Sequence, residues 1–252
     1  MAVDTPLGGA ALRQLGDRAR PLNLAGERVL PVIPVLAGVL PGGGLQRGTT
    51  VATVGPGSVS LALALVAGPS AAGSWSAVVG IPSLGLLAAA ELGVALERLV
   101  LVDRPAPGMW STVVAALLDA FEVVVVRPEQ RVRVADQRRL LARARERGAV
   151  VVQAGGRSDA WPDAPDVRMA VTAQGWRGLE VGHGHLRARR VTVEVTGRRA
   201  TGRRREVDLW LPGRAGRPGP VPTSEPGWRQ APRVAGTQPG SSGPPGLLRE
   251  AG

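Results

Sequence analysis

The segment Gly55-Pro56-Gly57-Ser58-Val59-Ser60 is where the residue types and spacing of this 252-residue chain come nearest to known chemistry. It follows the β-branched run Thr50–Val54 and opens the Leu/Ala-rich stretch Val59–Ala67, so it reads as a strand, a glycine-rich turn and a helix. A phosphate-binding loop needs that arrangement: backbone N–H groups cradle the phosphates, a Lys neutralises them, and a Ser or Thr hydroxyl holds magnesium. Here the turn is roughly two residues shorter than the eight-position motif, and the Lys and Thr are replaced or deleted around Val59 and Ser60. Without the Lys, the γ-phosphate loses its main countercharge. All 31 basic residues are Arg, so nothing but the N-terminus could supply another ammonium group. The alternatives are a plain strand–helix turn or a weak anion site on the Gly55–Ser58 amides.

A second candidate is a run of arginines. Arg187, Arg189, Arg190, Arg198, Arg199, Arg203, Arg204 and Arg205 lie within 19 residues, offset by Glu194 and Glu206. Guanidinium groups at that density bind phosphates with salt-sensitive affinity; a solvated strand face is the competing reading. Aromatic residues make up only 3% of the chain, too few for base-specific stacking. Trp228, with Leu247 and Leu248, stands in a Pro/Gly-rich tail and is a candidate partner-binding anchor. Trp75, Trp110, Trp161, Trp176 and Trp210 read as core or domain-edge packing. His183 and His185 do not define a metal site, Glu91 and Glu97 read as helix surface, and the absence of Cys excludes thiol chemistry and disulfides.

The elements that must position these groups alternate regularly. Strands are expected at Thr50–Val54, Ser76–Ile81, Leu99–Val102, Glu122–Val126 and Ala149–Gln153. Helices are expected at Val59–Ala67 (ended by Gly68-Pro69), Leu84–Val94, Trp110–Ala120 and Val134–Arg147. This alternation predicts an α/β fold with a mostly parallel central sheet, its valine-rich strands covered on both faces. After Gly155 the pattern changes to antiparallel strands at Val167–Ala173, Leu179–Gly182, His185–Thr196 and Arg204–Leu211. The last two form a hairpin with its tip at Gly197–Gly202. A short helix is expected around Ala10–Arg20. The chain divides into an N-terminal segment (1–34), the α/β domain (35–212) and a Pro/Gly-rich disordered tail (213–252).

Charge is uneven: of the net +11, residues 1–180 carry +3 and residues 181–252 carry +8, which points to an acidic partner of the C-terminal part. Thr49–Ala90 carries no charged residue, but Pro56, Pro69, Gly73 and Pro82 cut it into pieces shorter than the roughly 20 residues a membrane-spanning helix needs. No signal peptide is expected, and a cytosolic bacterial protein fits best.

From Leu36 to Arg199 the order of features resembles the RecA family core. Leu45-Gln46-Arg47-Gly48-Thr49-Thr50-Val51 is similar to the RecA segment before its P-loop, and Gly55-Pro56 to the opening of that loop. Leu92-Gly93-Val94-Ala95-Leu96-Glu97-Arg98-Leu99 resembles RecA's Leu-Gly-Val-Asp stretch, and Leu101-Val102-Asp103-Arg104-Pro105 stands where RecA has a strand ending in Gln-Pro. Val123–Val126 resembles the Walker B strand, and Ala149–Gln153 the strand leading to RecA's second DNA-binding loop. The departures fall on the chemistry. The P-loop is degenerate across Gly55, Pro56, Gly57, Ser58, Val59 and Ser60. Gly80-Ile81-Pro82 replaces the catalytic Glu, and Arg127 takes the Walker B Asp position, where it would repel magnesium.

Within that superfamily the Leu40-Pro41-Gly42-Gly43-Gly44-Leu45 turn, the empty P-loop and the Pro/Gly-rich C-terminus resemble the actinobacterial ImuA-prime group of ImuA-type proteins. The resemblance implies a non-catalytic accessory protein of a DNA-damage-induced (SOS) mutasome, without cofactor. Its partners would be an ImuB-like Y-family protein and an error-prone DNA polymerase in translesion synthesis, with the C-terminal region contacting ImuB. The expected location is cytoplasmic and nucleoid-associated, with DNA contact through the Arg-rich hairpin and none with membrane. The alternative is a DNA-binding RecA paralogue in recombination or its regulation, without ATP hydrolysis. A residual nucleotide-binding enzyme forms a third class.

Overall fold

Runs of valine build the central strands, because β-branched side chains pack well on both faces of a pleated sheet. A computed structural model describes residues 28–106, 108–155, 161, 164–180, 183–198, 204–213 and 215–222. Its elements begin with β1 (Val29–Leu30), α1 (Pro34–Ala37), β2 (Leu45–Gln46), β3 (Thr50–Val54), α2 (Ser58–Ala71), β4 (Ser76–Val79) and α3 (Leu86–Glu91). β5 (Leu99–Val102), α4 (Trp110–Ala120), β6 (Val123–Val126), α5 (Val134–Arg147) and β7 (Val150–Ala154) follow. The remaining strands are β8 (Val167–Glu180), β9 (His183–Thr196), β10 (Arg205–Trp210) and β11 (Gly219–Pro220).

β1 and β2 form a small antiparallel pair, and the other nine strands form one sheet in the order β11-β10-β9-β8-β3-β7-β6-β4-β5. Strands β3 to β8 pair in parallel, and β8 to β11 pair antiparallel. The fold is thus α/β, with a mostly parallel sheet and antiparallel C-terminal strands. Because β3 lies between β7 and β8, the glycine-rich turn leaves the sheet near its middle.

Side chains of β6 alternate between two core layers. Val123 and Val125 face the layer of α2, Val124 and Val126 the layer of α4 and α5, and all four are at most 1% exposed. In α2, Leu61 through Ala67 are at most 4% exposed. A helix apolar on every side must be buried on every side, which accounts for the uncharged stretch around it. Among the described residues, no helix is long and apolar enough to cross a membrane.

Several expectations need correction. Helix α2 does not stop at Gly68-Pro69 but runs to Ala71. Pro69 sits in its last turn, where its missing N–H removes one i→i−4 hydrogen bond, and the helix runs only two residues further. Gly68 serves close approach instead: a Cβ there would stand 2.6 Å from Val32 Cα and 2.7 Å from the Pro31 carbonyl oxygen. The strands expected at Val167–Ala173 and Leu179–Gly182 are one strand, β8, whose pairing with β9 shifts between Val171 and Ala173 and between Arg177 and Leu179. Bulges absorb the irregularity that the sequence pattern shows as a break. At the second, Gly178 has φ +100°, and a Cβ would stand 2.2 Å from the His185 carbonyl oxygen.

The α/β unit also begins before residue 35, since Leu30 is 2% exposed, and it extends past 212, since β11 pairs with β10. A tail starting at Gly213 is therefore too long by the residues that form this edge. The helix expected around Ala10–Arg20, most of the hairpin tip, Arg199, Arg203, Trp228, Leu247 and Leu248 lie outside the described residues.

Candidate functional site

The parallel strands all point their carboxyl ends to one edge, where open α/β sheets place their ligands. At that edge the turn after β3 is tightly built. Gly55 has φ +90° and Gly57 φ +77°, conformations that favour glycine. A Cβ on Gly55 would stand 2.6 Å from the Val171 carbonyl oxygen of β8, and one on Gly155, beyond β7, 2.5 Å from Ser58 Oγ. Thr53 Oγ1 lies 2.9 Å from the Ser58 carbonyl oxygen and 3.1 Å from that of Gln153, tying the turn to the sheet. The Ser58 N–H donates to the Gly55 carbonyl at 3.2 Å. The strand, turn and helix expected from the sequence are all present.

The turn is faced by a guanidinium that its own sequence does not announce. Arg189 reaches it from β9 and is 7% exposed. A Cβ on Gly57 would stand 2.3 Å from Arg189 Nη1 and 2.5 Å from Nη2. The Arg189 Nε–H donates to the Leu211 carbonyl at 2.7 Å, and Cζ lies 5.4 Å from the centroid of the Trp176 ring on the paired strand. Burial pushes the Arg189 pKa down from the usual arginine value; guanidinium nevertheless keeps its charge in proteins. No carboxylate among the described residues pairs with it. A buried cation thus packs against the N-terminal end of α2, although it does not occupy the Lys position of a P-loop.

Across β7 from the turn, the ends of the adjacent strands β6 and β4 meet through their backbones. Arg127 follows β6 and donates its backbone N–H to the Val79 carbonyl at 3.0 Å. Gly80 follows β4 with φ +79°, and a Cβ there would stand 2.3 Å from the Arg127 carbonyl oxygen. Gly80-Ile81-Pro82 therefore supplies a tight backbone junction and no carboxylate. No three His, Asp or Glu side chains converge as a metal site among the described residues.

The arginines that look like one cluster in sequence are divided by the sheet. Arg187, Arg189 and Arg190 lie toward the edge of the β3 turn, whereas Arg198, Arg204 and Arg205 lie toward the other end of the hairpin, about 17 to 36 Å away along β9 at about 3.3 Å per residue. Most are engaged within the fold. Arg190 Nη2 lies 2.6 Å from Asp208 Oδ2, and Arg204 Nη2 2.8 Å from Glu194 Oε2. Arg198 Nη2 donates to the Ala164 carbonyl at 3.1 Å and lies 3.9 Å from Asp166 Oδ1. Arg187 is exposed and Arg205 half-buried. Burial raises the Asp208 pKa, but hydrogen bonds from Thr192 and Arg190, with the Arg190 charge, outweigh it and bring the carboxyl below its ordinary value.

His183 and His185 sit at the exposed start of β9, and Glu91 and Glu97 are exposed as expected. Trp161 and Trp210 are buried, Trp75 and Trp110 half-buried, but Trp176 is 44% exposed and so is not core packing. Sequence reasoning missed Glu122, which is 6% exposed. Its burial pushes the carboxyl pKa up, although the Trp75 N–H donates to Oε2 at 2.9 Å. Its place between Phe121 and a four-valine strand is the signal that could have found it.

Residues 38–163 match the family model described as the MT3502 N-terminal domain. The matched stretch holds the Gly55–Ser58 turn, Gly80 and Arg127, and it ends before β8, so Arg189 lies outside it. The chain is also similar to the uncharacterized protein Rv3395c of Mycobacterium tuberculosis (strain ATCC 25618 / H37Rv), with 36% identity over 145 residues. That alignment covers 57% of this chain and 70% of the relative. The chain belongs to the MT3502 N-terminal domain family.

Proposed function

We propose that this chain is a RecA-like domain that acts without hydrolysing ATP, as an accessory protein in DNA-damage-induced translesion synthesis. Its work is to hold partners: an ImuB-like Y-family protein and an error-prone DNA polymerase, in the cytoplasm at the nucleoid. The observation that carries the non-catalytic reading is the chemistry at three strand ends on the carboxyl edge, those of β3 and of the adjacent pair β6 and β4. The turn after β3 is faced by buried Arg189, β4 ends in Gly80-Ile81-Pro82, and β6 ends in Arg127. Phosphoryl transfer needs a held magnesium ion and a group that orients the nucleophile. Arginine and glycine at these positions supply neither.

The RecA-like reading is supported by β3 standing inside the sheet with its glycine-rich turn at the carboxyl edge, and by the sequence resemblance from Leu36 to Arg199. The assignment to translesion synthesis rests on the Leu40–Leu45 turn, the degenerate P-loop and the Pro/Gly-rich C-terminus. Any DNA contact by the hairpin arginines is assigned to exposed Arg187 and to the Arg198–Arg205 end, because Arg189 is buried and the Arg190 side chain only 11% exposed, whereas Arg198 and Arg204 stay exposed despite their ion pairs. The test is affinity purification of the tagged full chain from cells with damaged DNA. Enrichment of a Y-family-like protein together with a replicative-type polymerase is expected; recovery of neither refutes the proposal.

A further inference from the structure

Beyond the β3 turn, the carboxyl ends of β4, β5 and β6 open into a cleft of about 450 Å³, within the size range of small-ligand sites. Four arginines line it: Arg104 after β5, Arg127 after β6, and Arg131 and Arg133 on the segment leading into α5. That segment is anchored by Val132, which is 6% exposed, while Arg131 and Arg133 on either side of it are exposed. With Val132 buried in the core, the exposed Arg131 and Arg133 on either side of it line the cleft.

Several other arginines of the fold are paired within it. Arg143 and Arg147 share Asp119, Arg190 pairs with Asp208 and Arg204 with Glu194. Arg104, Arg127, Arg131 and Arg133 make no ion pair or side-chain hydrogen bond with any described residue, although Glu129 and Asp136 line the same cleft. Four positive charges against two negative ones leave the cleft two charges short of neutrality. Converging like charges repel, and a guanidinium fork matches phosphate oxygens bidentately.

We propose that this cleft binds a small free ligand carrying a diphosphate group. Two adjoining phosphates supply the missing negative charge within one compact anion, and a concave site at strand ends suits a small molecule better than a polymer lying across the surface. The site is separate from the β3 turn and does not depend on the proposed mutasome role.

The test is calorimetric titration of the full chain with pyrophosphate, beside inorganic phosphate and a single-stranded oligothymidylate. Pyrophosphate should bind more tightly than phosphate, with affinity falling as salt rises. The double variant Arg131→Ala/Arg133→Ala, on exposed positions, should weaken binding about tenfold or more, with an unchanged circular dichroism spectrum. Arg187→Ala should leave binding unaltered. Three results would overturn the assignment: no pyrophosphate binding at millimolar concentration, binding lost in Arg189→Ala but kept in the double variant, or oligothymidylate held by these arginines and not displaced by pyrophosphate.

Discussion

Replacing Gly57 by Ala measures how firmly Arg189 is held at the β3 turn. Gly43 provides the matched reference, because Gly43 and Gly57 share φ +77° while a Cβ on Gly43 would meet nothing within 4 Å. Gly43→Ala therefore reports backbone strain alone, about 1–2 kcal/mol for an L-residue in the left-handed region. Gly57→Ala adds a Cβ 2.3 Å from Arg189 Nη1. A free side-chain end would swing aside at little expense. This one is bound through Nε to the Leu211 carbonyl and stacked on Trp176. Displacing it forfeits a charged hydrogen bond of about 1.5–3 kcal/mol and a cation–π contact of about 0.5–2 kcal/mol. The expected total for Gly57→Ala is thus about 3–7 kcal/mol, measured by urea unfolding with unchanged m. In an Arg189→Ala background the cost should fall back toward that of Gly43→Ala, a coupling that a double-mutant cycle isolates. Equal costs for the two glycine substitutions in the wild-type background would refute the reasoning.

Further outcomes can be checked on the same purified protein. Gly80→Ala should destabilise at least as much as Gly57→Ala, because its Cβ would stand 2.3 Å from the backbone oxygen of Arg127, which cannot rotate away; urea midpoints decide this. Glu122 has its pKa raised by burial, so stability is fully present below its unfolded pKa and is lost as pH rises through the folded one. Glu122→Gln should accordingly raise Tm at pH 7.5 and change it little near pH 4. Asp208 is shifted the other way, so its contribution is present above the unfolded pKa and lost as pH falls through the folded one. Asp208→Asn should cost about 1 kcal/mol at pH 7, and the deficit should vanish in acid. Asp119→Asn, at a partly exposed site, should cost no more than about 1 kcal/mol despite two arginine partners.

Much of the parallel half was legible because local pattern and tertiary burial agree there. Thr50–Val54, Leu99–Val102, Trp110–Ala120 and Val134–Arg147 form where the periodicity places them. Pattern misled where a residue serves a distant neighbour. Gly68 looks like a helix end but makes room for Val32, and Gly178 looks like a strand break but sits in a bulge.

The site was legible only in part. The turn at Gly55–Ser58 follows from its flanking strand and helix, whereas Arg189 lies more than a hundred residues further on and meets it only because β8 pairs with both β3 and β9. Counting charge along the chain directed attention to the C-terminal arginines, yet the sheet sends them to opposite ends. The cleft draws its arginines from two loops of the less basic part, where acids elsewhere along the chain cancel them in any linear count.

The central claim, a retained α/β core without hydrolysis, is tested most directly by ATP turnover. The purified full chain should release no phosphate from ATP above the protein-free rate, with or without magnesium and single-stranded DNA. Magnesium-dependent turnover that co-purifies with the chain and is lost on substitution within Gly55–Ser58 would contradict the account.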